Sequence, residues 1–183
     1  MELNLVMVRV IGFVLAAIMP LQCVANDLLL SWGTGSQPNS SQRNNQVSLD
    51  YDFLQFQRSS RTTLSLGVGF SHLTTDARIN KSINAISVYP QLTLYPVSEP
   101  LRDFYFFVRA LGPTILSSNS LGEREQDNHF AFQAQVGIGR LNKLSNGSTL
   151  LLQLSWKHIS NANLFNDNDG IDLPFVLSLG YRF

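Results

Sequence analysis

Apolar and polar residues alternate with a period of two along much of this chain. The alternation is clearest from 64 to 71, from 130 to 139 and from 175 to 183. Successive side chains of a β-strand point to opposite faces, so the pattern predicts strands with one apolar face and one small or polar face. Beyond residue 25 there is no apolar run of the length of a transmembrane helix.

Eight strands are predicted, and most of them are long. They cover residues 27–34, 45–57, 61–71, 83–95, 103–116, 129–141, 148–158 and 173–183. Soluble sheets usually have strands of about 5 to 6 residues, whereas a tilted strand needs about 9 to 11 to cross a bilayer. The sequence therefore predicts an all-β fold, an eight-stranded antiparallel up-and-down transmembrane β-barrel of the outer-membrane type.

The connections and the end of the chain agree with a membrane barrel. Connections at 58–60, 96–102 and 142–147 are predicted to be shorter than the polar ones at the opposite end. The last residues, up to Phe183, resemble the terminal strand of outer-membrane barrels. A periplasmic barrel of lipocalin type has the same alternation with its apolar face inside, and it stays open as an alternative. Interfacial aromatic girdles are expected from Tyr89, Tyr95, Phe104, Tyr105, Phe106 and Phe107.

The predicted interior is packed and polar. Eight strands enclose a lumen that side chains fill, so no pore is expected. Buried polar groups need partners, and inward residues are therefore expected to hydrogen-bond to one another across the lumen. Gln133, Gln135, Ser65 and Arg182 are among them.

The N-terminus has the form of an export signal. Arg9 precedes a short apolar run that ends at Pro20, too short for the roughly 20 residues of a membrane-spanning helix. Cleavage is expected after Ala25, which gives a signal peptide at 1–25 and a mature barrel at 26–183. A lipoprotein anchored through Cys23 is disfavoured because Gln22 stands where a small residue is expected. The mature chain would then contain no cysteine and no disulfide.

Charge and composition exclude some functions. The chain has 13 basic and 13 acidic residues. This balance gives no basic surplus for binding nucleic acid. Asp167 and Asp169 lack the spaced carboxylates and closing Glu of a calcium loop, so no metal and no cofactor are expected. His72 and His129 are interpreted as solvated rim residues, as are the loop cations Arg78, Lys81, Arg124 and Lys143.

One stretch near the C-terminus carries candidate chemistry. It reads Trp156-Lys157-His158-Ile159-Ser160-Asn161-Ala162-Asn163, followed by Asn168-Asp169-Gly170-Ile171-Asp172. His158 and Ser160 share the parity of the apolar residues of their strand, so both are expected on its lipid-facing side. An imidazole that accepts the proton of a serine hydroxyl makes that hydroxyl a nucleophile.

These residues resemble the signature of the PagL-type lipid A 3-O-deacylases, outer-membrane enzymes that remove an ester-linked acyl chain from lipopolysaccharide. The family has a His-x-Ser-Asn-Ala segment, then a short loop, Asn-Asp-Gly-Ile and an acid. The resemblance implies His158 as general base, Ser160 as nucleophile and Asp172 as the acid that orients the imidazole. It also implies oxyanion or loop-supporting roles for four residues, Asn161, Asn168, Ala162 and Asn163.

Three features depart from the family pattern. Asp172 stands where relatives have Glu, and Asn163 stands where a Gly can occur. Asp172 also has the wrong parity for the lipid-facing residues of its predicted strand, although Gly170 and Pro174 favour irregular backbone there. Asp169 and Asp167 therefore remain alternative acids.

The expected function is a metal-independent lipid A 3-O-deacylase, a serine esterase that acts on the 3-hydroxyacyl chain of lipid A at the outer leaflet. The expected partners are lipopolysaccharide as substrate and the membrane lipids, in the outer membrane of a Gram-negative bacterium. Two alternatives stay open: a non-enzymatic small barrel for adhesion or membrane integrity, and an acyl-transferring barrel. The sequence leaves the acyl-chain preference undecided, as well as whether the barrels form a homodimer.

Overall fold

Ten β-strands and one turn of 3-10 helix form the described part of the chain, residues 26–183, in this computed structural model. The predicted signal peptide, with Cys23 and the cleavage site after Ala25, lies outside the described residues. The strands are β1 (Asp27–Ser36), β2 (Arg43–Ser59), β3 (Thr62–Thr75), β4 (Ser82–Leu94), β5 (Phe104–Leu116), β6 (Ser120–Leu121), β7 (Arg124–Glu125), β8 (Phe130–Lys143), β9 (Thr149–Ser160) and β10 (Ile171–Arg182), and the 3-10 turn is Glu99–Leu101.

Eight of these strands close into a barrel. The order around it is β1-β10-β9-β8-β5-β4-β3-β2, and every pair is antiparallel. The eight-stranded up-and-down barrel predicted from the sequence is confirmed. The small hairpin β6–β7 lies in the connection between β5 and β8. Among the described residues, no helix is long and apolar enough to cross a membrane.

The two faces of the barrel wall differ in polarity. The exposed outer face carries large apolar side chains such as Leu30, Trp32 and Phe70. The interior contains Arg109, whose guanidinium contacts Asp50 at 3.3 Å. An apolar exterior around a polar interior is the arrangement of membrane barrels and the opposite of a lipocalin. The structure therefore overturns the alternative of a lipocalin-type barrel, which has its apolar face inside.

The interior residues named from the sequence have the expected partners. Gln135 donates to Ser155 Oγ at 2.8 Å, and Gln133 accepts a hydrogen bond from Ser87 at 3.2 Å. Three further polar contacts join side chains inside the barrel. They are Ser65 to Asp52 at 3.2 Å, Arg182 to Asp27 at 2.7 Å, and Lys157 to Ser71 at 3.0 Å.

The expected aromatic girdle is only partly formed. Phe104 and Phe106 are exposed on the outer face, but Tyr89, Tyr105 and Phe107 are buried inside the barrel. The prediction was wrong for those three because alternate residues of a strand point to opposite faces. Inside, Tyr89 covers the Arg109 guanidinium at 3.9 Å and donates to Asp52. Tyr95 is half-buried.

The connections define two ends of the barrel. The short-turn end comprises residues 60–61, 95–103 and 144–148, and the long-loop end comprises 37–42, 76–81, 117–129 and 161–170. The expected alternation in length holds only in part. The connection 95–103 contains the 3-10 turn and is longer than those at 37–42 and 76–81.

Several strands extend further toward the long-loop end than the sequence indicates. β3 continues to Thr75, β9 continues to Ser160, and β10 already begins at Ile171. In these extensions the outward residues are polar, whereas the inward residues Leu73, Ile159 and Ile171 are apolar and pack in a buried cluster, so the alternation used to predict the strands is reversed. Ser160 and Asp172 are consequently strand residues.

Candidate active site

The candidate site lies on the outer face of β9 at the long-loop end. His158 and Ser160 both point outward and are partly exposed, while Lys157 and Ile159 are buried inside. The imidazole of His158 stacks on the indole of Trp156, with ring centroids 5.6 Å apart and an angle of 17° between the planes. The outward face predicted for His158 and Ser160 is the one that the structure shows.

A β-bulge brings Asp172 to the same face. Leu173 pairs with Lys157 and Val176 pairs with Ser155, so two residues of β10 oppose one residue of β9. A bulge of this kind reverses the parity of the strand. The bulged pair is Pro174 and Phe175, which face Trp156. Asp172 therefore shares the outward face of His158, its direct cross-strand partner, although the residues after the bulge follow the opposite parity.

His158 and Asp172 form a hydrogen-bonded pair. His158 Nδ1 donates to Asp172 Oδ1 at 3.0 Å, and the aspartate is 8% exposed. A proton held on Nδ1 by a carboxylate leaves Nε2 as the basic nitrogen. The alternative acids have other partners. Asp169 pairs with Arg124 at 3.7 Å, and Asp167 accepts backbone and amide hydrogen bonds through its carbonyl oxygen.

Ser160 ends β9 beside Phe132 of β8. Its hydroxyl makes no hydrogen bond within residues 26–183, including to His158. Alternate residues of a strand are separated by about 6.7 Å, a distance that serine and histidine side chains on one face bridge by rotation. In unliganded enzymes the hydrogen bond from nucleophile to base is often long. The arrangement thus provides a base and a hydroxyl on one face, both with free hydrogen-bonding capacity.

The loop 161–170 is held by its asparagines. The backbone N–H of Asn161 donates to Asn168 Oδ1 at 2.8 Å, and its side chain donates to the carbonyl of Asp167. Asn161 Oδ1 accepts from the N–H of Asn163 at 3.0 Å, and Asn168 Nδ2 donates to Asn163 Oδ1 at 2.7 Å. Asn161 is fully buried. These contacts of Asn161, Asn163 and Asn168 are internal to the loop.

Two residues that follow Ser160 have left-handed backbone. Ala162 has φ 56° and Asn163 has φ 58°. This region costs a residue with a Cβ about 1 to 2 kcal/mol, and such conformations cluster at functional sites. The N–H of Asn163 is used within the loop, whereas that of Ala162 has no hydrogen-bond partner in the described part of the chain. A free amide two residues from the candidate nucleophile is an available donor.

The hairpin β6–β7 supports the same loop, which the sequence did not indicate. Gln126 accepts from the N–H of Asn161 at 3.1 Å and donates to the carbonyl of Asp169. Arg124 pairs with Asp169 and donates to the carbonyl of Pro38 at 2.6 Å. The interpretation of Arg124 as a solvated loop cation was therefore wrong, since it joins three connections of the long-loop end.

Gly170 makes room for the imidazole. A Cβ at this position would lie 2.3 Å from His158 Cε1 and 3.0 Å from Nε2. Real Cβ atoms do not approach so closely, so any larger residue would displace the ring. The glycine of the Asn-Asp-Gly-Ile segment thus has a steric role that the sequence motif alone does not explain.

A buried polar group behind Asp172 was also missed. The side chain of Gln37, from the β1–β2 connection, donates to Asp172 Oδ2 at 3.1 Å and accepts from its backbone N–H at 3.0 Å. Asn44 donates to the Gln37 side-chain oxygen at 2.7 Å. Nothing in the local sequence signals the contacts of Gln37 and Asn44 with Asp172, because they join residues more than 120 positions apart.

The other residues considered from the sequence lie away from this site. His72 contacts Asn84 at 2.8 Å, and His129 contacts the carbonyl of Leu116 at 2.8 Å. Lys143 ends β8 at the short-turn end. No group of three or more His, Cys, Asp or Glu that could hold a metal ion occurs within residues 26–183.

Comparisons with known proteins identify a family and similar solved structures. The sequence model of the family described as lipid A 3-O-deacylase (PagL) matches residues 45–182. Among solved structures, the chain is similar to one described as the crystal structure of the outer membrane enzyme PagL. The identity is 21%, the TM-score is 0.54, and the match covers 86% of this chain and 98% of that chain. Comparison with curated protein sequences finds no significant match.

Proposed function

We propose that this chain, which belongs to the PagL lipid A 3-O-deacylase family, is a serine esterase that hydrolyses the 3-O-linked acyl chain of lipid A. The family expected from the motif at 156–172 is confirmed by the match over 45–182. Family and fold together indicate an outer-membrane protein of Gram-negative bacteria and an ester hydrolase. The serine mechanism, the residues and the leaflet are the parts proposed.

The observation that carries the proposal is the hydrogen-bonded pair of His158 and Asp172 on the outer wall. Charged and polar side chains on a lipid-facing surface are energetically costly, so where they occur they usually mark a functional site. This pair lies beside Ser160 at the long-loop end of the outer face of β9, which also carries Trp156 and Leu154. A base and a hydroxyl at this position meet a substrate that is itself a membrane lipid.

The proposed reaction has two steps. In the first, Ser160 Oγ attacks the ester carbonyl, its proton passes to His158 Nε2, and the bond to the sugar oxygen breaks as that oxygen takes the proton. In the second, water gives a proton to His158 and attacks the acyl-serine, which releases the 3-hydroxy fatty acid and returns the proton to Ser160. Asp172 stabilises the imidazolium formed in each step.

Each tetrahedral intermediate needs hydrogen-bond donors for its oxyanion. The free N–H of Ala162 is the donor we assign to this role, because it lies two residues after Ser160, where the left-handed turn begins. Asn161, Asn163 and Asn168 are assigned to supporting the loop, since their polar groups bind one another.

The leaflet follows from the orientation of the barrel. In outer-membrane barrels the longer loops are extracellular and the shorter turns periplasmic. The site lies at the long-loop end, which would place it at the level of the outer leaflet, where lipopolysaccharide resides.

Mass spectrometry of lipopolysaccharide incubated with purified protein tests the proposal. We expect wild type to remove one 3-hydroxyacyl group and Ser160→Ala to leave the lipid unchanged. Ser82→Ala is a matched control, because Ser82 is an exposed serine at the long-loop end of another strand, β4. Unchanged lipid with wild type would favour a non-enzymatic barrel. Deacylation by Ser160→Ala at the wild-type rate would show that another residue is the nucleophile.

A further inference from the structure

The side chain of Gln37 contacts Asp172 through the carboxylate oxygen that His158 does not use. Besides its two contacts with Asp172, its Nε2 donates to the carbonyl of Gly170 at 2.7 Å. Gln37 is 3% exposed and is the first residue of the β1–β2 connection. One amide therefore contacts the carboxylate and the backbone N–H of the candidate acid, and also the carbonyl of Gly170, two residues earlier.

We propose that Gln37 is a positioning residue that holds Asp172 in the orientation needed by His158. The inference rests on the proposed serine esterase function. Gln37 occupies Oδ2 of the carboxylate, so Oδ1 is the oxygen left for the imidazole. Without this partner the carboxylate is free to rotate about its terminal torsion, which has a broad energy profile.

The orientation of the Gln37 amide is itself determined by its neighbours. Its side-chain oxygen accepts from two donors, Asn44 Nδ2 and the N–H of Asp172. A reversed amide would place the NH₂ group against both of them, so the NH₂ group must face Asp172 Oδ2. Amide orientations follow from the hydrogen-bond network in this way.

A second group of buried residues holds this network in place. Asn44, fully buried on β2, accepts from Gln42 at 2.8 Å and donates to the carbonyl of Asp172 at 3.3 Å. Gln42 also donates to the carbonyl of Leu121 in the β6–β7 hairpin at 3.1 Å. The acid is thus tied to the first connection of the barrel and, through it, to β6–β7.

An aspartate has particular need of such support. Its side chain has a single methylene group, so the reach of the acid depends on where its backbone lies. Gln37 contacts the backbone that leads into Asp172 at two points, the carbonyl of Gly170 and the N–H of Asp172. The structure therefore fixes the position of the main chain as well as the carboxylate.

Kinetics of Gln37→Met test the inference, because methionine has a similar length and no amide. We expect kcat for deacylation to fall about 10- to 100-fold, as is typical when a partner that orients a functional group is lost, with KM unchanged. Gln46→Met is the matched control. Gln46 is another buried glutamine, on β2, and its amide donates to Ser48 at 3.0 Å and to no residue of the site.

A double-mutant cycle separates positioning from general stabilisation. If Gln37 acts through Asp172, Gln37→Met should have little further effect on kcat in an Asp172→Asn background. Effects that multiply would overturn the inference. If Gln37→Met fails to fold, Gln37→Glu serves instead, because it keeps the side-chain length and an acceptor for Asn44 but removes the donor to Asp172. We expect Gln37→Glu to lower kcat as well. A wild-type kcat for Gln37→Glu would contradict the positioning role.

The same assays distinguish failure of the inference from failure of the proposed function. Active wild type with inactive Ser160→Ala supports the esterase, and a normal kcat for Gln37→Met would then overturn only the positioning role. Inactive wild type would contradict the esterase and, with it, the inference.

Discussion

Lys157 and His158 are neighbours on β9, but the polar group of one is buried inside the barrel and that of the other is partly exposed on the outer face. Lys157 points into the barrel, is 2% exposed, and donates to Ser71 Oγ at 3.0 Å. His158 points outward with 29% of its side chain exposed, and its hydrogen bond to Asp172 leaves Nε2 free. The polar group of Lys157 is used inside the lumen, whereas His158 on the outer face keeps hydrogen-bonding capacity available to a molecule outside.

This difference suggests that stability and activity depend on different faces of the same wall. Interior groups that hydrogen-bond to one another contribute to stability and do not reach a lipid. Outer-face groups at the long-loop end are accessible from outside the barrel and contribute little to packing. Substitutions on the two faces should therefore separate the two properties.

The largest effect is expected from Asp172→Asn. An amide in place of the carboxylate favours the wrong tautomer of His158 and cannot stabilise the imidazolium, so we expect kcat to fall about 10³- to 10⁴-fold. Asp169→Asn is the matched control, because Asp169 pairs with Arg124. Rates of fatty-acid release from lipopolysaccharide measure both. Loss of activity in Asp169→Asn alone would mean that the acid is misassigned.

An interior substitution, Arg109→Met, should act on stability instead. Arg109 is 1% exposed and pairs with Asp50, which would remain as an uncompensated buried charge. Breaking a buried pair in this way costs about 3 to 5 kcal/mol. Urea unfolding in detergent micelles measures the loss, and kcat per folded molecule should stay at the wild-type value. A large fall in kcat with unchanged unfolding would contradict the division between the two faces.

Gly170→Ala should have an intermediate effect, confined to activity. The added methyl would meet His158 Cε1 at 2.3 Å and displace the ring from Asp172. Misplacement of a catalytic group by about 1 Å costs up to about 100-fold in rate. Gly147→Ala is a control for backbone strain, because Gly147 has φ 87° at the short-turn end and a Cβ there meets nothing within 4 Å, so its kcat should equal that of wild type. Equal kcat for Gly170→Ala and wild type would show that the imidazole position is not critical.

The smallest effect is expected from Lys157→Met, one position from the candidate base. Lys157 Nζ forms no ion pair within residues 26–183 and donates to the hydroxyl of Ser71, so its removal costs one hydrogen bond, and we expect the free energy of unfolding to change by about 1 kcal/mol. Deacylation should remain within about two-fold of wild type, since Lys157 faces the lumen. A loss of activity comparable to that of Asp172→Asn would show that the interior face takes part in the reaction.

The strand pattern and the outward face of His158 and Ser160 could be predicted from sequence because both depend on local periodicity. A strand has a fixed alternation, and the apolar residues before His158 set its parity. The motif at 156–172 likewise indicated the family. These predictions needed no knowledge of which strands become neighbours.

The position of Asp172 could not be predicted in the same way. Its parity is reversed by the bulge at Pro174 and Phe175, and the length and register of a bulge depend on the partner strand. Gly35 on β1 leaves space for this bulge, because a Cβ at position 35 would lie 2.5 Å from Pro174 Cδ. Such a contact between the first and last strands exists only once the barrel has closed.

The contacts of Gln37 and Gln126 were missed for a related reason. Both are polar residues of connections, where exposure to solvent is the usual expectation. Their burial depends on how the connections at the long-loop end pack against one another, as when Gln126 meets Asn161. No periodicity marks this packing.

Covalent labelling with a fluorophosphonate probe, followed by peptide mass spectrometry, tests the central assignment most directly. We expect a single adduct on Ser160 in the folded wild-type barrel and no adduct in His158→Ala, because the hydroxyl reacts only when the imidazole takes its proton. An adduct on another residue, or labelling of Ser160 at the wild-type rate in His158→Ala, would contradict a serine nucleophile activated by His158 on the outer wall.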